Sequence, residues 1–192
     1  WADAPQTDNT ALAVYGGDLE GNLWRCDING DLGAGGTDAE LLATFRDAAN
    51  NPQPVTTAPQ LGLVEKYAGV FVGTGKYLGI ADAQPGTQQS FYGVKDAGLK
   101  DSAVASSGVG NPRNNNSFVQ RTMIETTCPT GKDYCSQGQV IRTISDSVAD
   151  TDVDWETKSG WYVNFPLTNE RSNTDPQLVQ GTLVFTTNSP EM

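Results

Sequence analysis

Short runs of strand-forming residues recur along this chain, and each run ends near glycine, asparagine, aspartate or proline. There are nine of them: ALAVYGG, NLWRCDI, LGLVEKY, GVFVGTG, QSFYGVKD, SFVQRTMIE, QVIRTIS, GWYVNFPL and GTLVFTT. Such runs are typical of β-strands, because β-branched and aromatic residues favour extended backbone and the residues between them favour turns. Helical periodicity is confined to residues 38–48, where ELLATF fits a strand equally well. The pattern predicts an all-β fold.

A weak internal repeat indicates how these strands are arranged. AVYGG followed by NLWRCD resembles GVFVG followed by SFYGVKD, and TLVFTT matches the start of a third copy. DLEG joins the first pair and predicts a tight hairpin with Gly21 at the turn. The spacing of LGLVEKY and GVFVGTG points to a bend or a second hairpin at Gly69. Repeated hairpins are typical of β-propellers, and a blade period of about 40 to 50 residues predicts about four blades.

The chain therefore reads as one domain over residues 1–192, either a small complete propeller or a fragment of a larger one. Residues 100–117, KDSAVASSGVGNPRNNNS, contain few apolar residues. A polar stretch of this length is typical of a surface loop. We predict an exposed insertion near residues 100–117.

Cysteine spacing gives a second structural expectation. Cys128 and Cys135 lie seven apart in TCPTGKDYCS, with Pro129 and Gly131 between them to turn the chain. A disulfide is favoured over two free thiols or half a metal site, because no histidine or further cysteine pair completes a zinc set. Cys26 lies in the apolar run LWRCDI and is predicted to be a buried core thiol. The predicted disulfide favours a location of the protein in an oxidising compartment.

Charge and residue usage exclude several classes of function. The net charge is −11 and the isoelectric point is about 4.2, which argues against a nucleic-acid partner. Because the chain has no histidine, it lacks the Ser-His and Cys-His catalytic pairs and His-ligated zinc. No apolar run is long enough for a membrane span.

One acidic segment has the spacing of a calcium loop. Asp27, Asn29, Asp31 and Asp38 place oxygen ligands at positions 1, 3, 5 and 12 of such a loop. Leu32 stands where a glycine normally permits the sharp turn, and Asp38 replaces the usual bidentate glutamate. Calcium binding and a plain Asx- and glycine-rich turn are both compatible with this segment.

Four aromatic residues, Trp24, Tyr92, Trp155 and Trp161, are candidates for stacking on a carbohydrate. Aromatic side chains at strand positions more often pack between sheets. We therefore predict that these residues belong to the core.

Longer strings in the chain resemble a known family. AVYGGDLEGNLWRCDI, VFVGTGKYLGIAD with QSFYGVKD, and GWYVNFPLTNERSNTDPQLVQGTLVFTT are similar to successive segments of PilY/PilC-type proteins. These proteins are the type IV pilus tip-associated adhesins and biogenesis factors of Gram-negative bacteria, and the matching part is their C-terminal β-propeller. The resemblance runs from about residue 13 to residue 187 and is weakest over residues 100–151.

The resemblance implies quinoprotein-like blades that form part of a larger, secreted propeller. It further implies a non-enzymatic role in pilus extension, twitching motility and attachment to surfaces or host cells. The implied partners are pilus tip or minor pilin proteins and a host-cell or surface receptor. The implied location is extracellular, on the pilus and at the Gram-negative outer membrane.

The chain departs from the family at one position. Family members often carry a DxDxDxxxD calcium loop before the strand that matches ALAVYGG, whereas here only Asp8 and Asn9 stand near that place. That ligand set does not carry over. Two other functions stay open: a calcium-dependent structural module, and a quinoprotein-type oxidoreductase suggested by the GDLEGNLWRCDI blade. The oxidoreductase would need a quinone, a calcium ion and a catalytic carboxylate, for which the sequence offers no convincing set.

Overall fold

A computed structural model describes residues 11, 13–28, 39–84, 86–99, 108–131, 133, 135–145 and 153–190. Within these residues the fold consists of strands joined by loops and three short 3₁₀ helices, Ile80–Ala83, Ala97–Leu99 and Pro112–Asn114. The strands are β1 (Ala13–Gly17), β2 (Asn22–Asp27), β3 (Ala39–Thr44), β4 (Gln60–Val64), β5 (Tyr67–Gly73), β6 (Ser90–Asp96), β7 (Phe118–Thr127), β8 (Val140–Ser145), β9 (Gly160–Asn164), β10 (Gln177–Val179) and β11 (Thr182–Val184). Every strand-like run contains a strand, and the ambiguous segment 38–48 forms β3. The prediction of an all-β fold is confirmed.

The first sheet is an antiparallel meander in the order β1-β2-β3. Asp18 holds the turn between β1 and β2, because its Oδ1 accepts hydrogen bonds of 2.9 Å from the backbone N–H groups of Glu20 and Asn22. Gly21 follows with a φ of 77°, in the left-handed region that glycine adopts without strain. The predicted hairpin with Gly21 at its turn is therefore confirmed.

The second sheet has six strands in the order β4-β5-β6-β9-β7-β8. The strands β4, β5, β6 and β9 form an antiparallel set, and β7 joins β9 in parallel. The turn between β4 and β5 lies at Glu65 and Lys66. Gly69, where the sequence suggested a bend, instead lies inside β5 opposite Gly62. A separate hairpin is formed by β10 and β11.

One face of the second sheet packs against the first sheet. Strand residues alternate between the two faces, so Val70, Val72 and Tyr92 point to the same side. They contact Leu23 on β2 and Phe45, which directly follows β3, in one buried cluster. Phe45 and Tyr92 stack with their ring centroids 4.1 Å apart. This cluster is the contact between the two sheets.

The opposite face of the second sheet is also buried. Phe71, Phe91 and Val163 lie there with Trp155 and with residues that follow β9 and β11. The rings of Phe91 and Phe185 stack at 4.0 Å. The strands β5, β6 and β9 are thus covered on both faces, which explains the nearly unbroken burial of β5 and β6.

The predicted exposed insertion is described only from residue 108 onward, and this part is packed. The N–H of Val109 donates to the carbonyl of Leu42 at 2.7 Å, and the N–H of Thr44 donates to the carbonyl of Gly110 at 3.0 Å. Pro112 is buried. Residues 108–117 therefore differ from the exposed loop that their composition predicts, since backbone pairing with β3 holds them in place. Residues 100–107 lie outside the described residues.

Candidate functional site

A buried ionic cluster joins the two sheets. The Nη1 of Arg25 lies 2.7 Å from Oδ1 of Asp96, and its Nη2 lies 2.5 Å from Oε2 of Glu40. The hydroxyl of Tyr15 donates to Oδ2 of Asp96 at 2.7 Å. Burial, then the charge of Asp96, raises the pKa of the Tyr15 hydroxyl far above its usual value. Although burial lowers the pKa of Arg25, Asp96 and Glu40 more than offset it. The cluster is therefore suited to cross-linking the sheets, with Arg25 charged and Tyr15 neutral.

A second polar network fixes residues 108–117 to the same core. Gln53 is fully buried, and its Nε2 donates to Oγ of Ser90 at 3.0 Å. The Tyr92 hydroxyl donates to Oε1 of Gln53, and burial raises the pKa of Tyr92 to about 12. Arg113 donates to Oγ of Ser90 at 2.8 Å and lies 4.8 Å from the ring centroid of Tyr162. The sequence offered no signal for this role of Arg113, which stands in a polar stretch far from its partners.

Only part of the predicted calcium loop can be located. Asp27 ends β2 and is half-buried, whereas Asn29, Asp31 and Asp38 lie outside the described residues. The described part of the chain contains no group of three or more acidic or cysteine side chains that could hold a metal ion. Calcium binding by this loop stays a prediction.

The cysteines divide into one pair and one free thiol. Cys128 and Cys135 form a disulfide between β7 and β8. Cys26 is free and half-buried. It follows Arg25 on β2, so it points to the outer face of the first sheet rather than into the core. The prediction of a buried core thiol is wrong because the apolar run around Cys26 alternates between an inner and an outer face.

Core packing is confirmed for two of the four aromatic candidates. Tyr92 is fully buried and Trp155 is 4% exposed. Trp161 is half-buried and stacks on Phe91 with centroids 6.1 Å apart. Trp24 donates its Nε1 hydrogen to Oδ2 of Asp18 at 3.0 Å, which ties it to the first hairpin.

Cavities open at the surface of the described part of the chain, and two of them are of similar size. The first, of about 390 Å³, is lined by Val64, Arg121, Trp155 and Trp161 among others. The second, of about 380 Å³, is lined by the loop between β5 and β6 and by Arg171. The first is lined mainly by apolar and aromatic residues, and the second by a mixture of charged, polar and apolar residues. Among the described residues, no helix is long and apolar enough to cross a membrane.

The chain is all-β, with a six-stranded sheet packed against a three-stranded one, and the solved structure that it resembles is a β-propeller. It is similar to a crystal structure of the Pseudomonas aeruginosa PilY1 C-terminal domain, with a TM-score of 0.70 and 25% identity over 95% of this chain. A type IV pilus biogenesis factor PilY1 from Pseudomonas aeruginosa is 31% identical over 184 residues that cover 83% of this chain. Over most of its length the chain therefore resembles part of PilY1, including the C-terminal domain.

The match is to part of a longer protein. The chain spans 15% of the length of the Pseudomonas aeruginosa relative and 42% of the crystallised C-terminal domain. A PilY1 homologue from Xylella fastidiosa is 34% identical over 96 residues, which cover 48% of this chain and 7% of that protein. No protein-family profile matches the chain. The family resemblance identified from the sequence strings is confirmed.

Proposed function

We propose that this chain is part of a non-enzymatic adhesin and assembly factor at the tip of a type IV pilus. In this role it supports pilus extension, twitching motility and attachment to surfaces or host cells. Similarity to a type IV pilus biogenesis factor PilY1, over 83% of the chain, is the observation that carries the proposal. Its partners would be pilus tip or minor pilin proteins and a surface receptor, and its location would be extracellular, on the pilus at the outer membrane.

The cross-linked core suits a part that bears tension. The buried pair of Arg25 and Asp96 connects the first sheet to the second. Side-chain bonds of Gln53 and Arg113 then tie the intervening loops to β6. A load applied to one sheet is therefore transmitted through buried contacts. In such a scaffold, specificity for partners resides in the loops.

The outer face of the first sheet supports the view that the propeller is larger than this chain. Val14 and Leu41 are 53% and 40% exposed there, and half-buried Trp24 pairs with Leu41 across the strands. An apolar sheet face of this kind is normally covered. We propose that a neighbouring blade of the longer protein covers it, since the chain spans 42% of the crystallised PilY1 C-terminal domain.

The test is deletion of the gene region that encodes this chain, in a wild-type strain and in a strain unable to retract its pili. We expect few surface pili and no twitching in the first strain, and pili restored in the second. Attachment per pilus is then compared at equal pilus number. A strain that carries Glu156→Gln, in an exposed salt bridge, is the matched control. Normal piliation, twitching and attachment after deletion would overturn the proposal.

An oxidoreductase would behave differently. Full-length protein would show quinone absorbance after reconstitution and would reduce an artificial electron acceptor. We expect neither signal.

A further inference from the structure

The loop between β5 and β6 presents apolar side chains to solvent. Tyr77, Leu78 and Ile80 are 47%, 68% and 92% exposed. The loop is nevertheless held by specific bonds. Oδ2 of Asp82 accepts a hydrogen bond of 3.0 Å from the N–H of Leu78, and Oδ1 of Asp82 lies 3.1 Å from Nζ of Lys76. These bonds present the three apolar side chains, which we call the apolar tip, from an ordered loop. A contiguous exposed apolar patch commonly marks an interaction site.

The second cavity, of about 380 Å³, lies beside this tip and shares the loop with it. Its lining residues include Lys76, Asp82, Thr87, Gln89 and Arg171. The cavity thus has two cationic side chains and one carboxylate, in a chain whose net charge is −11. A cationic recess on an acidic protein is a local attractor for anions.

Arg171 is the unusual member of this cavity. The residue is only 5% exposed. Its guanidinium nevertheless donates hydrogen bonds only to backbone carbonyls, those of Asp82 and Gln84, among the described residues. Among the residues that the structure describes, it forms no ion pair with a carboxylate. Buried charges are normally paired with an opposite charge. Within the described part of the chain, no carboxylate is therefore paired with this guanidinium, which keeps N–H donors for a further acceptor.

Gln89 gives an independent sign that the cavity is incomplete. Its residue is 6% exposed, and its Nε2 donates to Thr87. Its Oε1 is buried without a hydrogen-bond partner. Buried polar atoms are satisfied in the great majority of cases. A bound group that donates a hydrogen, such as a peptide N–H, would satisfy this oxygen.

We propose that the cavity and the apolar tip together bind a protein segment in which a carboxylate lies beside an apolar side chain. The carboxylate would pair with Arg171 and Lys76, a backbone N–H of the segment would reach Oε1 of Gln89, and the apolar side chain would contact Leu78 and Ile80. The cavity is large enough for one such group, since ligand recesses start at about 300 Å³. This inference holds whether or not the chain serves in pilus assembly.

The test uses two dipeptide probes and a small anion on the 192-residue chain. The probes are acetyl-Leu-Leu with a free carboxylate and the same compound as a C-terminal amide, and the anion is sodium acetate. Binding is followed by the amide resonances of Lys76, Asp82 and Thr87 in nitrogen-15 NMR spectra. We expect the acid to bind at about millimolar concentration and the amide about tenfold more weakly, the effect of losing one charge-assisted hydrogen bond.

Surface variants separate the two halves of the site without disturbing the fold. Lys76→Met should weaken the acid and acetate by about threefold or more, as loss of a partly exposed ion pair implies. Ile80→Ser should weaken the acid and the amide and leave acetate unchanged. The controls are Lys66→Met and Val140→Ser, whose side chains are exposed at other places in the fold. Neither control should change any affinity.

Three results would overturn the proposal. The first is equal binding of the acid and the amide, since the carboxylate would then have no partner. The second is that no amide resonance shifts with any probe at concentrations up to about 10 mM, because we count a weaker interaction as nonspecific. The third is that acetate binds as tightly as the acid and that Ile80→Ser does not change the affinity for the acid. The cavity would then be a site for small anions and not a surface that binds a protein.

Discussion

Arg25 on β2 and Asp96 on β6 form an ion pair of 2.7 Å across the contact between the two sheets, although they stand 71 residues apart in the chain. The side chains are only 3% and 1% exposed. Removal of one partner from a buried pair leaves an uncompensated charge. This pair therefore gives a direct measure of how strongly the sheets depend on each other.

We expect Asp96→Asn to lower the free energy of unfolding by about 3 to 5 kcal/mol, because Arg25 would stay buried with Glu40 as its one carboxylate partner in the described cluster. Urea unfolding followed by tryptophan fluorescence measures the change. Glu156→Gln removes the exposed pair with Lys66, whose side chains are 63% and 61% exposed, and should leave the stability nearly unchanged. Equal effects of the two substitutions would contradict the structural role of Asp96.

Alkaline pH should unfold the protein through its buried tyrosines. Burial raises the pKa of Tyr92 to about 12 and raises that of Tyr15 as well. In the unfolded chain these hydroxyls ionise near pH 10. A pKa that is higher in the folded state gives stability that is fully present below about pH 10 and is lost as the pH rises toward the folded pKa. The urea midpoint should therefore fall between about pH 10 and pH 12.

The same titration tests the contribution of Tyr15 directly. Tyr15→Phe should make the fall in stability with pH shallower, since one proton fewer is released on unfolding. An unchanged slope in Tyr15→Phe would show that Tyr15 is not held neutral by burial.

The strands could be predicted from the sequence because they depend on local chemistry. The alternation in AVYGG and NLWRCD and the turn residues between them place β1 and β2 correctly, and Gly21 marks their turn. Turn positions without glycine were harder. Glu65 turns the chain with a φ of 56°, a conformation that its residue type disfavours, so the sequence pointed to Gly69 instead.

The polar contacts could not be predicted, because they join distant parts of the chain. Arg113 reads as part of a solvated loop until it is seen beside Ser90 and Tyr162. Arg171 likewise lies 89 residues from the carbonyl of Asp82 that it contacts. Local patterning specifies which residues are apolar, whereas the pairing of single charged groups depends on how the sheets meet.

Gly21 should tolerate no side chain. A Cβ at this position would lie 2.6 Å from the carbonyl oxygen of Phe45, and the φ of 77° already disfavours other residues. We expect Gly21→Ala to cost about 3 kcal/mol or more, the sum of about 1 kcal/mol for backbone strain and the cost of overpacking. Thermal unfolding measures the change.

Gly131 is the matched control for that substitution. It has the same φ of 77°, but a Cβ at this position would meet no atom within 4 Å. Gly131→Ala should therefore cost only the strain of about 1 kcal/mol. If both substitutions cost the same, the close approach of Phe45 to the hairpin turn is not a constraint.

The disulfide should stabilise the hairpin of β7 and β8. Cys128 and Cys135 close a loop with a sequence separation of 7, and chain-entropy arguments give about 2 kcal/mol for so short a loop. Replacement of both by alanine should lower the free energy of unfolding by about that amount. Cys26→Ala, at the free thiol, is the control and should have a smaller effect. A double variant as stable as the parent would show that the loop is held by other contacts.

Calcium binding at the loop after β2 can be decided with single carboxylate substitutions. Asp27 and Asp31 stand at the first and fifth positions of the predicted loop, and Leu32 in place of the usual glycine favours weak binding, of the order of 10⁻⁴ to 10⁻³ M as in extracellular modules. Titration calorimetry should show binding heat in the parent chain. Asp31→Asn should remove this heat, because calcium affinity falls when the number of charged ligands is reduced. Asp133→Asn, in the exposed disulfide loop, should retain the binding heat.

Because a ligand that binds only the folded state raises its stability, calcium should also raise the melting temperature of the parent and not of Asp31→Asn. A parent chain with neither heat nor a melting shift has no calcium site in this loop, and residues 29–38 would then serve as a polar turn.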